Sequence, residues 1–349
     1  MSRTVGFPID AAVIREMIDA APEGEIVTTR RFRFAFATYG GGRADVLEQI
    51  RRAESAGYDT IVCGDHLLNV ADPLTTLMFV ADHTDTMRIC TWVACNDFRH
   101  PVVLARSLSN LDELSGGRLD IGLGAGYLVA EYQSAGITLE PGPRRLARLR
   151  EATTIVKAMM ERSPVDFHGE EYRLSQQVSF PLARQRPGPP LLLGGGGPKM
   201  LAWAATEADI VSIIPQSGPA GNLLLSTVAA SAARARVDIV RAAAGGRFDA
   251  LTLNTLLLHA EVTTDRRAAA ERWLDGVRSG SAAFSGAFAF DADIGVDELL
   301  ESPYFAFGTV MEIADHLRRC RETMEFSYWV VYPHLFDTLA PVLELLLAG

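Results

Sequence analysis

PPLLLGGGGPKMLAWAATEADIVSII (Pro189–Ile214) contains one complete unit of the fold. Leu191–Leu193 and Asp209–Ile214 are short apolar runs of strand length. Between them Pro198 opens a helical pattern, at the first helical position where proline's missing N–H costs nothing. Strand, helix and strand joined by short turns form a βαβ unit, whose two strands lie parallel.

The same alternation continues in both directions. Upstream, Phe32–Thr38 reads as a strand, and Gly40–Gly42 as a turn. The helix from about Asp45 to Ala56 places Val46, Leu47, Ile50 and Ala53 on one face. Asp45 and Glu48 resemble a capping box, and Gly57 stops the helix. Thr60–Cys63 is the second strand. Asp72-Pro73 opens a helix, with Asp as cap. Ile89–Ala94 is the third strand, Pro101 starts a helix that ends at Ser115–Gly117, and Leu119–Leu123 is the fourth strand. A longer excursion follows, with a helix near Arg144–Arg162 and a hairpin-like stretch, Phe167–Phe180. Downstream come helix Gly221–Ala244, strand Leu251–His259, helix Asp265–Val277 and a loop rich in Phe, Ala and Ser (Ser279–Phe290). A helix at about Glu312–Thr323, strand Tyr328–Tyr332 and helix Asp337–Ala348 close the chain. Eight strands alternating with helices in 349 residues predict an α/β fold, a (β/α)8 barrel with insertions. Residues 31–349 form that domain. Residues 1–30 read as an N-terminal extension, with one amphipathic helix at Ala11–Ala20.

Composition narrows the function classes. The net charge is −10 and the pI about 5.3. An acidic surface disfavours nucleic acid and anionic membrane as partners. Cys63, Cys90, Cys95 and Cys320 make no CxxC pair and no zinc spacing. They read as buried thiols of a reducing cytoplasm. No apolar stretch is long enough to span a bilayer. The N-terminal residues carry Asp10, Glu16 and Asp19 and lack the apolar run of a signal peptide. HxH, HExxH and GxSxG patterns are absent, so no metal site or serine hydrolase is expected.

In such a barrel the chemistry gathers at the carboxyl ends of the strands. Asp65-His66 follows the second strand, where a His exchanges protons near neutral pH. The competing reading is a loop pair that fixes the next turn. Trp92-Val93-Ala94-Cys95 ends the third strand, either as support for an aromatic cofactor ring or as ordinary buried strand. Arg99-His100-Pro101 reads as the start of a helix. Gly122-Leu123-Gly124-Ala125-Gly126 leaves the fourth strand with GxGxG rather than GxGxxG spacing. It suits a loop with close backbone approach better than a dinucleotide site. Gly194-Gly195-Gly196-Gly197 precedes a helix, where open N–H groups and the helix dipole favour a phosphate. It is not a Walker A loop, since Met200 follows Lys199. His334 follows the last strand, as a substrate contact or as a cap.

LARSLSNLDELSGGRLDIGLGAGYLVAEYQSAG (Leu104–Gly136) resembles the signature region of luciferase-like flavin and deazaflavin enzymes. AESAGYDTIVCGDH (Ala53–His66), DFRHP (Asp97–Pro101) and PPLLLGGGGPKMLAWAATEADIV (Pro189–Val211) match it as well. The combination is most similar to the branch that uses deazaflavin coenzyme F420. The resemblance implies a homodimeric barrel with the cofactor ring at the strand ends. A bulge with a non-prolyl cis peptide would back the ring near Trp92-Val93, with Cys95 beside it. The cofactor phosphate would sit on Gly195–Gly197. Asp65 would lie near the ring edge, and His66 near the reacting centre. In the deazaflavin-dependent glucose-6-phosphate dehydrogenases a glutamate and a tryptophan stand where this chain has Tyr127 and Val70, which argues against sugar-phosphate oxidation by their mechanism.

The sequence therefore points to an F420-dependent oxidoreductase acting on a small-molecule substrate, with His66 or Tyr127 handling the proton. Gly124, Gly126 and the four glycines after the fifth strand would bind the cofactor. The alternatives are an FMN-dependent monooxygenase fed by a separate cofactor reductase, and a non-catalytic flavin-binding protein.

Overall fold

The computed structural model describes residues 30–68, 70–161, 163–219, 221–281, 288–289 and 291–348. The extension assigned to residues 1–30, including the helix at Ala11–Ala20, lies outside the described residues except for Arg30.

Eight parallel strands close the barrel: β1 (Arg33–Thr38), β2 (Thr60–Cys63), β3 (Arg88–Thr91), β4 (Leu119–Gly124), β5 (Leu191–Gly195), β6 (Ile210–Ile213), β7 (Thr252–Leu257) and β8 (Phe326–Val331). Each pairs with the next, and β8 returns to β1 with Arg33 opposite Tyr328. The covering helices are α1 (Arg43–Ser55), α2 (Pro73–Asp82), α3 (Pro101–Leu114), α4 (Gly142–Glu161), α5 (Pro198–Glu207), α6 (Ala230–Ala244), α7 (Val310–Met324) and α8 (Phe336–Leu347). This is the (β/α)8 barrel expected from the alternation. Its strands are almost wholly buried, as parallel strands covered on both faces must be.

Local details differ from the sequence reading for identifiable reasons. α1 begins at Arg43, because Gly42 takes the cap position and the Asp45 carboxylate accepts its N–H at 3.0 Å. Asp45 is thus the third residue of the helix rather than its cap. α6 starts only at Ala230. Before it, Leu223–Leu224 form a short strand against Phe288–Ala289, so the leucine run there packs without continuing the helix. β7 ends at Leu257, and His259–Val262 turns away to pair with Phe305–Gly308. The hairpin after α4 is present, as Val165–His168 against Arg173–Gln177.

The amino-terminal end of the barrel is closed by charge. Asp120, fully buried in β4, accepts from Arg33 of β1 at 3.1 Å and from the Arg88 Nε of β3 at 3.1 Å. Arg33 also lies over the Tyr328 ring of β8, 4.3 Å from its centroid. One carboxylate thus ties three strands. Removing one partner of a buried ion pair leaves an uncompensated charge, at a cost of about 3 to 5 kcal/mol. Asp120→Asn is accordingly expected to lower unfolding stability by about 3 kcal/mol in urea denaturation. An unchanged midpoint would mean that the cluster does not hold the barrel closed.

His316 on α7 is buried, and its Nε2–H donates to the Ser302 carbonyl at 3.0 Å. Burial pushes its pKa down to about 4. The unfolded side chain titrates near 6.5, so between about 4 and 6.5 only the unfolded state takes up the proton. Its contribution is intact above about pH 6.5 and is lost as pH falls toward 4, by up to about 3 kcal/mol. Replacing His316 by Gln is expected to flatten the acid limb of stability against pH. Parallel curves for the two proteins would show that His316 titrates normally.

Candidate active site at the carboxyl ends of the strands

The third strand breaks between Thr91 and Ala94, and the Trp92–Val93 peptide is cis. Before the break Ile89 faces Leu119 of β4, and after it Ala94 faces Leu123, a shift of one residue. β4 has to pass unusually close to this bulge. A Cβ on Gly122 would lie 1.9 Å from the Thr91 carbonyl oxygen, and one on Gly124 would lie 2.5 Å from Val93 Cγ2. The Thr91 hydroxyl bridges the gap, bonding the Gly122 carbonyl and N–H at 2.9 Å each. Across the barrel the Trp92 indole donates to Asn254 Oδ1 of β7 at 3.2 Å.

The bulge sets the loop after β2. Cys95 N donates to Asp65 Oδ2 at 2.9 Å, and Arg99 pairs with the same oxygen and with Asp72. Asp65 is thereby held in a buried ion pair beside the site. Its neighbour His66 places Nδ1 3.1 Å from Glu131 Oε2, which also accepts the Leu67 N–H at 3.0 Å. Glu131 is 2% exposed and sits in the short helix Val129–Ala135 after β4. Tyr127 meets the His66 ring edge-on, with centroids 6.0 Å apart. Although 42% of Tyr127 is exposed, burial first and the Glu131 charge second push its hydroxyl pKa up. Burial likewise lifts the Cys95 thiol to about 11, so it is protonated at neutral pH and suits packing rather than nucleophilic attack.

These groups line a cavity of about 580 Å³ to which all eight strand ends contribute. Of the residues singled out from sequence, Asp65, His66, Trp92, Val93, Cys95, Gly126, Tyr127 and Gly194 line it, as does His334. Gly124, Gly195, Gly196 and Gly197 are not among the lining residues. Several glycines have internal reasons. Gly126, at φ +74°, would drive a Cβ to 1.9 Å from the Tyr132 hydroxyl. A Cβ on Gly194 would lie 2.4 Å from the Ser212 carbonyl oxygen, and one on Gly196 would lie 2.6 Å from Gln216 Cα. Gly197 is different. Nothing lies within 4 Å of its missing Cβ, and it caps α5 with no side-chain bond, so the helix amino end is open. The residue that the sequence reading missed is Glu131. Within LVAEYQ it looks like an acid on a solvated helix face, and only the folded chain brings it to His66, 65 positions away.

Residues 26–324 match the luciferase-like monooxygenase family. The chain belongs to that family. It is 28% identical over 176 residues to an F420-dependent glucose-6-phosphate dehydrogenase of Amycolatopsis mediterranei, covering 48% of this chain and 52% of the relative. It is 32% identical over 166 residues to a 5,10-methylenetetrahydromethanopterin reductase of Archaeoglobus fulgidus, covering 47% of each. The chain thus spans about half the length of the curated relatives it matches. Among solved structures, monooxygenase RslO1 from Streptomyces bottropensis superposes with a TM-score of 0.68 at 20% identity, over 90% of this chain and 97% of that one. That likeness carries the fold alone. Among the described residues of this luciferase-like barrel, no helix is long and apolar enough to cross a membrane.

The close approach at Gly122 yields a direct test. Gly122→Ala is expected to lower stability by about 3 kcal/mol, since backbone must move to admit the methyl group. Gly197→Ala, with open space and an ordinary φ of −85°, is expected to melt with the parent. Equal melting of both variants would remove the steric account of the bulge.

Proposed function

We propose that this luciferase-like protein is an F420-dependent oxidoreductase that reduces an activated double bond of a small organic substrate. The observation that carries the reading is His66, held by the buried Glu131 carboxylate at a cavity backed by the Trp92–Val93 bulge. The F420-dependent relative supports the choice of cofactor.

The residues fit such a group. The bulge and the apolar side chains of Val93, Ile214 and Leu256 offer walls for a flat ring. The open amino end of α5 at Gly197 offers N–H groups and a favourable dipole to a phosphate. When bound, reduced deazaflavin supplies the hydride and scarcely activates oxygen.

The chain supplies the proton. The Glu131 carboxylate accepts from both Leu67 N–H and His66 Nδ1, which fixes the His66 tautomer with hydrogen on Nδ1. Nε2 is then the atom that exchanges a proton with substrate. His66, oriented by Glu131, takes up a proton at Nε2 from solvent and passes it to the carbon that did not receive the hydride. Tyr127, kept protonated by its raised pKa, is a second donor at the same edge.

In anaerobic mixing of reduced F420 with 2-cyclohexen-1-one, His66→Asn is expected to lower kcat by about 10²-fold or more. Glu131→Gln is expected to lower it by about tenfold and to shift the pH profile. Oxygen uptake with reduced FMN, and none of this chemistry with reduced F420, would replace the reading by an FMN-dependent monooxygenase.

A further inference from the structure

We infer that the cavity selects an uncharged, apolar substrate with an aromatic or similarly flat body, and rejects anions. This deepens the proposed reaction and rests on its placement of cofactor and substrate in one cavity.

Two insertions build the outer wall. Leu223 stands in the stretch between β6 and α6, and Phe288 in the insertion between β7 and α7. The two residues are paired in a short parallel ladder. Trp273, on the helix Arg266–Ser279, packs edge-on against Phe288 with centroids 5.5 Å apart, and against Phe305 at 4.5 Å. Leu258, just past β7, completes the wall. Trp273 is thus clamped on two sides, and a rigid aromatic face loses little freedom when a flat ligand stacks on it.

The electrostatics point the same way. Among the described residues that line the cavity there is no lysine or arginine. Its two carboxylates are already engaged. Asp65 is held by Arg99 and Cys95 N–H, and Glu131 by His66 and Leu67 N–H. An anionic substrate would surrender its water and meet no lysine or arginine in return, and His66 already faces the Glu131 carboxylate. The anion-friendly element, the amino end of α5, is the one assigned to the cofactor's phosphate. A cationic substrate would find both carboxylates spoken for. A neutral apolar body suffers neither penalty, and its burial is favourable.

The test uses two flat probes of nearly equal size, 2-acetylnaphthalene and 2-naphthoate. Binding to the full chain is measured by calorimetry, with and without F420. The neutral ketone is expected to bind at least about tenfold more tightly than the carboxylate, and Trp273→Ala to remove most of that affinity. Leu223→Lys is expected to raise naphthoate affinity by about tenfold. Equal or tighter binding of naphthoate by the parent protein would overturn the inference, as would ketone binding indifferent to Trp273→Ala. The two readings separate cleanly. Ketone preference without F420 binding sinks the cofactor reading and leaves this one standing. F420 binding without ketone preference does the reverse.

Discussion

The contact between β4 and the bulge of β3 is the constraint on which the site depends. With hydrogen in place of a side chain at Gly122 and Gly124, β4 can follow the strand past the Thr91 carbonyl and Val93. The one-residue shift in register then sends Cys95 N–H toward Asp65. Asp65, locked also by Arg99, fixes the loop that carries His66. Glu131 arrives from the short helix Val129–Ala135 after β4, the same strand that passed the bulge. A methyl group at one glycine thus propagates through backbone to His66, the group proposed to handle the proton.

The architecture was legible because helix and strand periods keep alternating from Phe32 to Ala348 on both sides of the insertions. A βαβ unit read at Pro189–Ile214 allows few alternatives once the same alternation runs through eight strands. The outlying strands were not legible. Among the described residues Phe305–Gly308 and His259–Val262 form a ladder with each other; the first is too short to stand out, and His259 looks like the end of an overlong barrel strand. Leu223–Val228 imitated a helix for the same reason, since leucines in succession satisfy several periods at once.

The site divides along a physical line. Asp65, His66, Trp92 and Val93 were accessible because strand ends can be located from sequence and the resemblance names the loops that matter. Glu131 was not, because hydrogen bonds between loops leave no trace in local spacing. The glycines show the converse. Gly124 and Gly126 looked like room for a ligand, but a Cβ on either would strike the protein itself. Of the four glycines Gly194–Gly197, Gly197 alone combines open space with a helix amino end.

The luciferase-like barrel hosts both hydride and oxygen chemistry, so cofactor choice is the central claim. The measurement that tests it most directly is equilibrium titration of the purified protein with F420 and with FMN in parallel, followed by fluorescence. The account predicts that F420 binds at least about tenfold more tightly. Tighter binding of FMN would contradict it.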